Sequence, residues 1–154
     1  MKPPPFKYIA ARHLDEALAL KAQYGTEAMF LAGGQSLMPI LNFRLADPAV
    51  LIDVNPLAGC AGILFEQGSL RVGALTRYRN LQRSAAVASH APLIAEALPL
   101  IAHPQIRNRG TIGGNLAHAD PASELPAAML ALGAQMRLRS LSRERVVAAE
   151  DFFT

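Results

Sequence analysis

The sequence predicts a mixed fold of the α+β class, and three observations carry that expectation. Residues 1–55 run helix, strand, glycine-rich turn, helix, strand, which makes a βαβ unit and most simply a small parallel sheet. The pattern then changes to an antiparallel hairpin mixed with apolar helices. Two glycine-rich stretches, "LAGGQSLMPIL" at 31–41 and "TIGGNLAHADPASELP" at 111–126, stand on either side of that change, each leading into a helix.

In order along the chain, "HLDEALALKAQYG" places Leu14, Ala17, Leu18 and Lys21 on helical spacing, with Gly25 as the C-terminal cap. "AMFLA" is a short buried strand that runs into Gly33-Gly34. Ser36 is the expected cap of a helix over "LMPILNFR", where Pro39 is tolerated in the first turn. "VLIDV" (50–54) is a second buried strand, ended by Asn55-Pro56. "GILFEQGSLRVGAL" folds back on itself at Gln67-Gly68. Thr76 is the expected cap of "RYRNLQRS", and "PLIAEALPLIA" is a very apolar helix. "SELPAAMLALGA" is another, with Ser123 as cap and Gly133 as stop. "QMRLRS" alternates as a strand does, and "RVVAAEDFF" reads as a strand starting a turn. The sequence stops at Thr154 with no closing element, so a lobe over 56–154 is expected to be incomplete.

Composition narrows the function classes. Charged residues make up only 18 % of the chain against 51 % hydrophobic, a balance that suits a protein hiding some surface against a partner. Fifteen basic and twelve acidic side chains leave a net charge of +3. The basic residues are scattered apart from Arg107/Arg109 and the Arg137/Arg139/Arg143/Arg145 group, with no aromatic interleaving, which argues against nucleic acid. A single cysteine, Cys60, permits neither a disulfide framework nor a cysteine-ligated cluster within the chain, and it is expected as a small core residue. "MKPPPFKY" puts prolines where a signal peptide needs an apolar run, and no stretch is long enough for a membrane span. A cytoplasmic location is the expectation.

The chemistry rests on backbone rather than on nucleophiles. Gly33-Gly34-Gln35-Ser36 sits between a strand and a helix, where glycines expose several N–H groups in one concave turn. The same residues serve equally as a plain tight turn. Neither the Gly-Lys-Ser/Thr ending of a P-loop nor the third glycine of the dinucleotide fingerprint is present. Thr111-Ile112-Gly113-Gly114-Asn115 repeats the logic, and two such nests could share the two charged ends of a diphosphate. His103, His118, Asp120 and Glu124 lack metal-ligand spacing, so no metal site is read from them. Glu124, in a first helical turn, suits sugar-like hydroxyls better. Arg107 and Arg109 steer an anion, face a partner subunit or, the simplest reading, are solvated loop charges. No catalytic residue stands out, so any reactive group would come with a cofactor.

"FLAGGQSLMPILNFRLADPAVLIDVNPL" and "HPQIRNRGTIGGNLAHADPASELPAAMLALGA" together closely resemble the FAD-binding medium subunit of molybdenum hydroxylases. The carbon monoxide dehydrogenase type is the nearer match and the xanthine dehydrogenase flavin domain a more distant one. The likeness runs from about Phe6 to Phe153. It implies an α+β fold with a small βαβ lobe (1–55), a second lobe with a mostly antiparallel sheet and helices (56–154), and FAD in the cleft between them. It implies that Ala32, Gly33, Gly34, Gln35 and Ser36, with Leu37, clasp the FAD pyrophosphate together with Thr111, Ile112, Gly113, Gly114 and Asn115. Glu124 would bind along the sugar-alcohol chain, with Asp120 and His118 near that path, and Ile101 would lie against the cofactor. The implied function is electron transfer from an iron–sulfur small subunit, fed by a molybdenum large subunit, through FAD to an acceptor. Such proteins continue well beyond "EDFFT" into a C-terminal domain, which leaves two alternatives: an interaction module that no longer holds FAD, and a stand-alone flavin reductase.

Overall fold

The computed structural model describes residues 2–153. Its first unit is a three-stranded parallel sheet. Strands β1 (Lys7–Ala10) and β2 (Ala28–Leu31) flank β3 (Val50–Asp53), with Lys7 and Ala28 both opposite Val50 and Ala10 and Leu31 both opposite Asp53. Every residue of β3 is buried, as the unbroken apolar run "VLI" requires of a central parallel strand. Helix α1 (Leu14–Tyr24) connects β1 to β2, and α2 (Leu37–Asn42) connects β2 to β3. Both are crossover connections between parallel strands, the first passing over the place that β3 fills between β1 and β2. Ala11, Ala17, Ala28, Val50, Ile52 and Leu57 form the first core, with half-buried Cys60 and Leu75 against it. Strand β1 is absent from the sequence reading. Four residues after a proline run carry too little local pattern, and the partner that makes them a strand lies far along the chain.

The second unit holds two antiparallel ribbons. Strands β4 (Ile63–Glu66) and β5 (Ser69–Val72) close through Gln67 and Gly68, both at positive φ (50° and 77°), which is the turn that matches strand twist. Strands β6 (Gln135–Arg139) and β7 (Glu144–Ala148) form the other ribbon. Among the described residues the ribbons do not join into one sheet. Around them lie α3 (Tyr78–Gln82), α4 (Ala85–His90), α5 (Pro92–Ala97), α6 (Pro104–Arg109), α7 (Ile112–His118), α8 (Glu124–Ala131) and α9 (Ala149–Phe152). Leu81, Val87, Leu98 and Leu125 are fully buried at the centre of this second core. No helix is long and apolar enough to cross a membrane among the described residues.

Several local expectations change. Thr76 does not cap α3, whose N-cap is Arg77. Its buried hydroxyl instead accepts from the Gly62 N–H (2.9 Å) and donates to the Gly62 carbonyl (3.0 Å), tying the start of the hairpin down. Ser36 is already in helical conformation and its side chain caps nothing. Ser123 holds the N-cap position of α8 but its hydroxyl is taken by another side chain. Residues 104–109 are helical rather than a loop. The Arg107 guanidinium binds the carbonyls of Ile101 (2.9 Å) and Ala102 (2.7 Å) instead of standing in solvent.

Candidate functional site

At the carboxyl ends of the parallel strands the chain leaves β2 and turns through Ala32–Ser36 into α2, the position where open parallel sheets bind ligands. The N–H groups of Gly33, Gly34, Gln35, Ser36 and Leu37 donate to no other described residue. The Gln35 amide folds back onto the Gly33 carbonyl at 2.9 Å and steadies the turn. Gly33 is buried against the neighbouring segment: a Cβ there would lie 2.6 Å from the Arg109 carbonyl oxygen and 2.9 Å from the Gly110 Cα. Only glycine permits that backbone-to-backbone approach.

The second glycine motif is built differently from the first. It is the opening turn of α7 and not a loop before a helix. Thr111 is the N-cap, and its hydroxyl accepts from the Gly114 N–H at 3.2 Å. The N–H groups of Ile112, Gly113 and Asn115 go to the carbonyls of Thr76, Ala74 and Thr111. Its amides are therefore committed, whereas those of the first motif are free. Gly114 faces Ala32 of the first motif, to which an added Cβ would come within 3.8 Å. Asn115 donates from Nδ2 to the Ser123 hydroxyl at 2.7 Å, and its buried Oδ1 has no partner. A buried acceptor without a donor is costly, and a ligand hydroxyl or amide would satisfy it. Tyr78 is buried beside this amide. Burial pushes its hydroxyl pKa up, the Asn115 amide opposes the rise, and the Glu124 charge adds to it.

The other expected residues lie at varying distances from this centre. Glu124 is half-buried at the first position of α8. His118 is exposed at the end of α7, and Asp120 is exposed with its carboxylate accepting from the Ala122 N–H in a turn. Ile101 is buried in the second core, and it does not line the cleft beside the first motif.

That cleft, of about 530 Å³, is walled in part by Tyr8, Asp53 and Asn55, which the sequence reading did not assign to the site, and by Arg109, one of the two arginines it named for steering an anion. Asp53 ends the central strand. Its Oδ2 accepts from the Tyr8 hydroxyl (2.5 Å) and its Oδ1 from the Asn55 backbone N–H (2.9 Å) and side-chain amide (2.6 Å). Burial raises the Asp53 pKa, but these hydrogen bonds and the Arg77 charge outweigh it and hold the carboxyl below its usual value. Arg77 in turn donates to Asn55 Oδ1 at 2.5 Å and to the Arg109 carbonyl. Its own pKa is lowered by burial and by the Arg109 charge, against the pull of Asp53. The one available signal in the sequence was a carboxylate closing an otherwise apolar strand.

A row of free amides, a facing helix start and basic side chains make a seat for an anionic group of extended shape. The family described as FAD binding domain in molybdopterin dehydrogenase matches residues 4–154. The chain belongs to this family. Among relatives of this FAD-binding domain, the 6-hydroxypseudooxynicotine dehydrogenase complex subunit alpha of Paenarthrobacter nicotinovorans is 48 % identical, over 98 % of this chain and 51 % of that protein. The carbon monoxide dehydrogenase medium chain of Hydrogenophaga pseudoflava is 44 % identical, over 99 % of this chain and 53 % of its own. A solved structure of carbon monoxide dehydrogenase from Hydrogenophaga pseudoflava, lacking the Mo-pyranopterin moiety, superposes with a TM-score of 0.97. It shares 44 % identity and covers all of this chain and 54 % of its own. The FAD-binding domain here thus spans about half the length of the relatives it matches.

Proposed function

We propose that this chain holds FAD between its two glycine motifs and passes electrons through it, as part of a molybdenum-containing hydroxylase complex. The free N–H groups of Gly33 to Leu37, in a turn that packs beside Gly114 at Ala32, carry the reading: that row fits a pyrophosphate and has no partner among the described residues. The fit extends to the orphaned Asn115 Oδ1, which suits a hydroxyl donor of the cofactor. Ala32, Gly33, Gly34, Gln35, Ser36 and Leu37 would bind the phosphates through their backbone. Thr111, Ile112, Gly113 and Gly114 would form the opposite wall, closely packed because neither glycine carries a side chain. Glu124 would meet the sugar-alcohol chain, with Asp120 and His118 at its open end and Ile101 behind the cofactor. Bound FAD supplies the two-electron chemistry, and the protein supplies binding and orientation.

The relatives carry the names of complex subunits and medium chains, which supports partner subunits here as well. We assign the iron–sulfur small subunit as electron donor and the molybdenum large subunit as the place of substrate oxidation. A cytoplasmic location suits the unpaired thiol of Cys60. The test is an absorbance spectrum of the purified chain after incubation with FAD and desalting. Retained flavin bands are expected, and they should vanish in Gly114→Asp. A Cβ at Gly114 already comes 2.8 Å from the Thr111 hydroxyl, and the carboxylate would repel phosphate. A colourless wild-type protein would sink the proposal.

A further inference from the structure

No backbone hydrogen bond joins residues 32–37 to residues 109–115, although the two segments touch at Gly33. Van der Waals contact limits how closely two backbones approach but is weak at holding them there. The connection runs through Arg77, just before α3. Its own strand position is fastened to the second motif: Arg77 bridges to Thr111, the Ile112 N–H donates to the Thr76 carbonyl and the Tyr78 N–H to the Gly110 carbonyl. From there the guanidinium reaches across. Nη1 donates to the Arg109 carbonyl, the same oxygen against which Gly33 rests, and Nη2 donates to Asn55 Oδ1. Asn55 passes the hold to the first motif, donating from Nδ2 to the Ala32 carbonyl at 2.8 Å.

Arg77 is poorly placed to be a cofactor ligand itself. Those two contacts commit both ends of its fork, and Asp53 partly offsets its charge. We propose instead that Arg77 is a positioning residue: its forked guanidinium sets the distance between the two glycine motifs and so aims the free amides of Gly33 to Leu37 at one anion. The proposal rests on the reading that FAD occupies this cleft. The fork matters because its two nitrogens donate in one fixed plane, whereas an ammonium, though it can reach two carbonyls as Lys21 does, holds them from a single rotatable point.

The experiment compares the wild-type chain with Arg77→Met, Arg77→Lys, Asn55→Ala and the Arg77→Met/Asn55→Ala double variant. Hydrogen exchange is read in ligand-free protein, and FAD affinity by flavin fluorescence. Arg77→Met is expected to speed exchange by about tenfold or more at the Met38 and Ile40 amides, which donate to the Gly34 and Ser36 carbonyls of the first motif, while α8 keeps its protection. FAD affinity should fall at least roughly tenfold, the size of one lost charge-assisted hydrogen bond. Arg77→Lys keeps the charge without the fork and should fall between. The double variant should bind FAD about as weakly as Arg77→Met alone, because both substitutions cut one connection. Unchanged exchange at Met38 and Ile40 in Arg77→Met, wild-type FAD affinity in Arg77→Lys, or additive losses in the double variant would each overturn the proposal. A wild-type chain that takes no FAD would overturn the functional reading instead, and exchange in the ligand-free variants would still decide the tether. If Arg77→Met does not fold, exchange in Arg77→Lys, where the fixed fork is lost, decides.

Discussion

Single residues set the limits of this site. Gly33 and Gly59 contain the same atoms but differ completely in surroundings: an added Cβ would meet the Arg109 carbonyl at 2.6 Å in the first and nothing within 4 Å in the second. Gly33→Ala should therefore cost about 1–3 kcal/mol, since two backbones must separate, and Gly59→Ala close to nothing. Thermal melts of the two variants check this, with a drop of several degrees expected for Gly33→Ala alone. Asp53 gives a pH signature. Its folded pKa lies below its usual 3.8, so the stability it contributes is complete above about pH 4 and disappears as pH falls through the folded value. The Tyr8 hydroxyl is the largest of the influences that lower it. Tyr8→Phe should move the acid-unfolding midpoint to higher pH, followed by circular dichroism; an unmoved midpoint would mean that Tyr8 does not hold the carboxylate. The site's glycines were legible from their position after a strand. Tyr8, Asp53, Asn55 and Arg77 were not, because their roles depend on partners up to 45 residues away.

At the scale of elements, the hydrogen-bonding needs of each segment decided where the sequence reading held and where it failed. The Gln67-Gly68 turn was readable because its requirement is local: two adjacent residues at positive φ. Capping was less readable, since Ser and Thr hydroxyls accept from whatever N–H is nearest in space. Thr76 illustrates this, binding both polar groups of Gly62 across the hairpin rather than the helix that follows it. Thr76→Val keeps the shape but strands those two groups, and should cost about 1–3 kcal/mol in denaturant unfolding, whereas Thr76→Ser should keep most of the stability. Equal stability of Thr76→Val and wild type would show that water replaces the hydroxyl. The two glycine motifs, alike in sequence, diverge for the same reason. Thr111 and the carbonyls of Ala74 and Thr76 consume the amides of the second, and nothing among the described residues consumes those of the first.

At the scale of the whole molecule, two cores meet along the glycine contacts and the Tyr8–Asp53–Asn55–Arg77 hydrogen-bond chain. One further link, the Arg139–Asp15 ion pair at 2.9 Å, spans the same two units but is largely exposed. Solvent screening leaves such a pair little worth, so Arg139→Ala should change unfolding free energy by less than about 1 kcal/mol. A larger loss would make this pair, and not the buried contacts, the connection between the units.

The sequence by itself determined the βαβ order, the hairpin, the two glycine motifs and the family, because periodicity, turn chemistry and short motifs are local properties that each segment carries alone. The tertiary structure decided that the motifs pack side by side, that only one of them keeps free amides, and that Asp53, Asn55 and Arg77 form the hydrogen-bonded link between them. The reason is physical. A hydrogen bond goes to the nearest unsatisfied partner in space, and which partner that is depends on the packing of the whole chain.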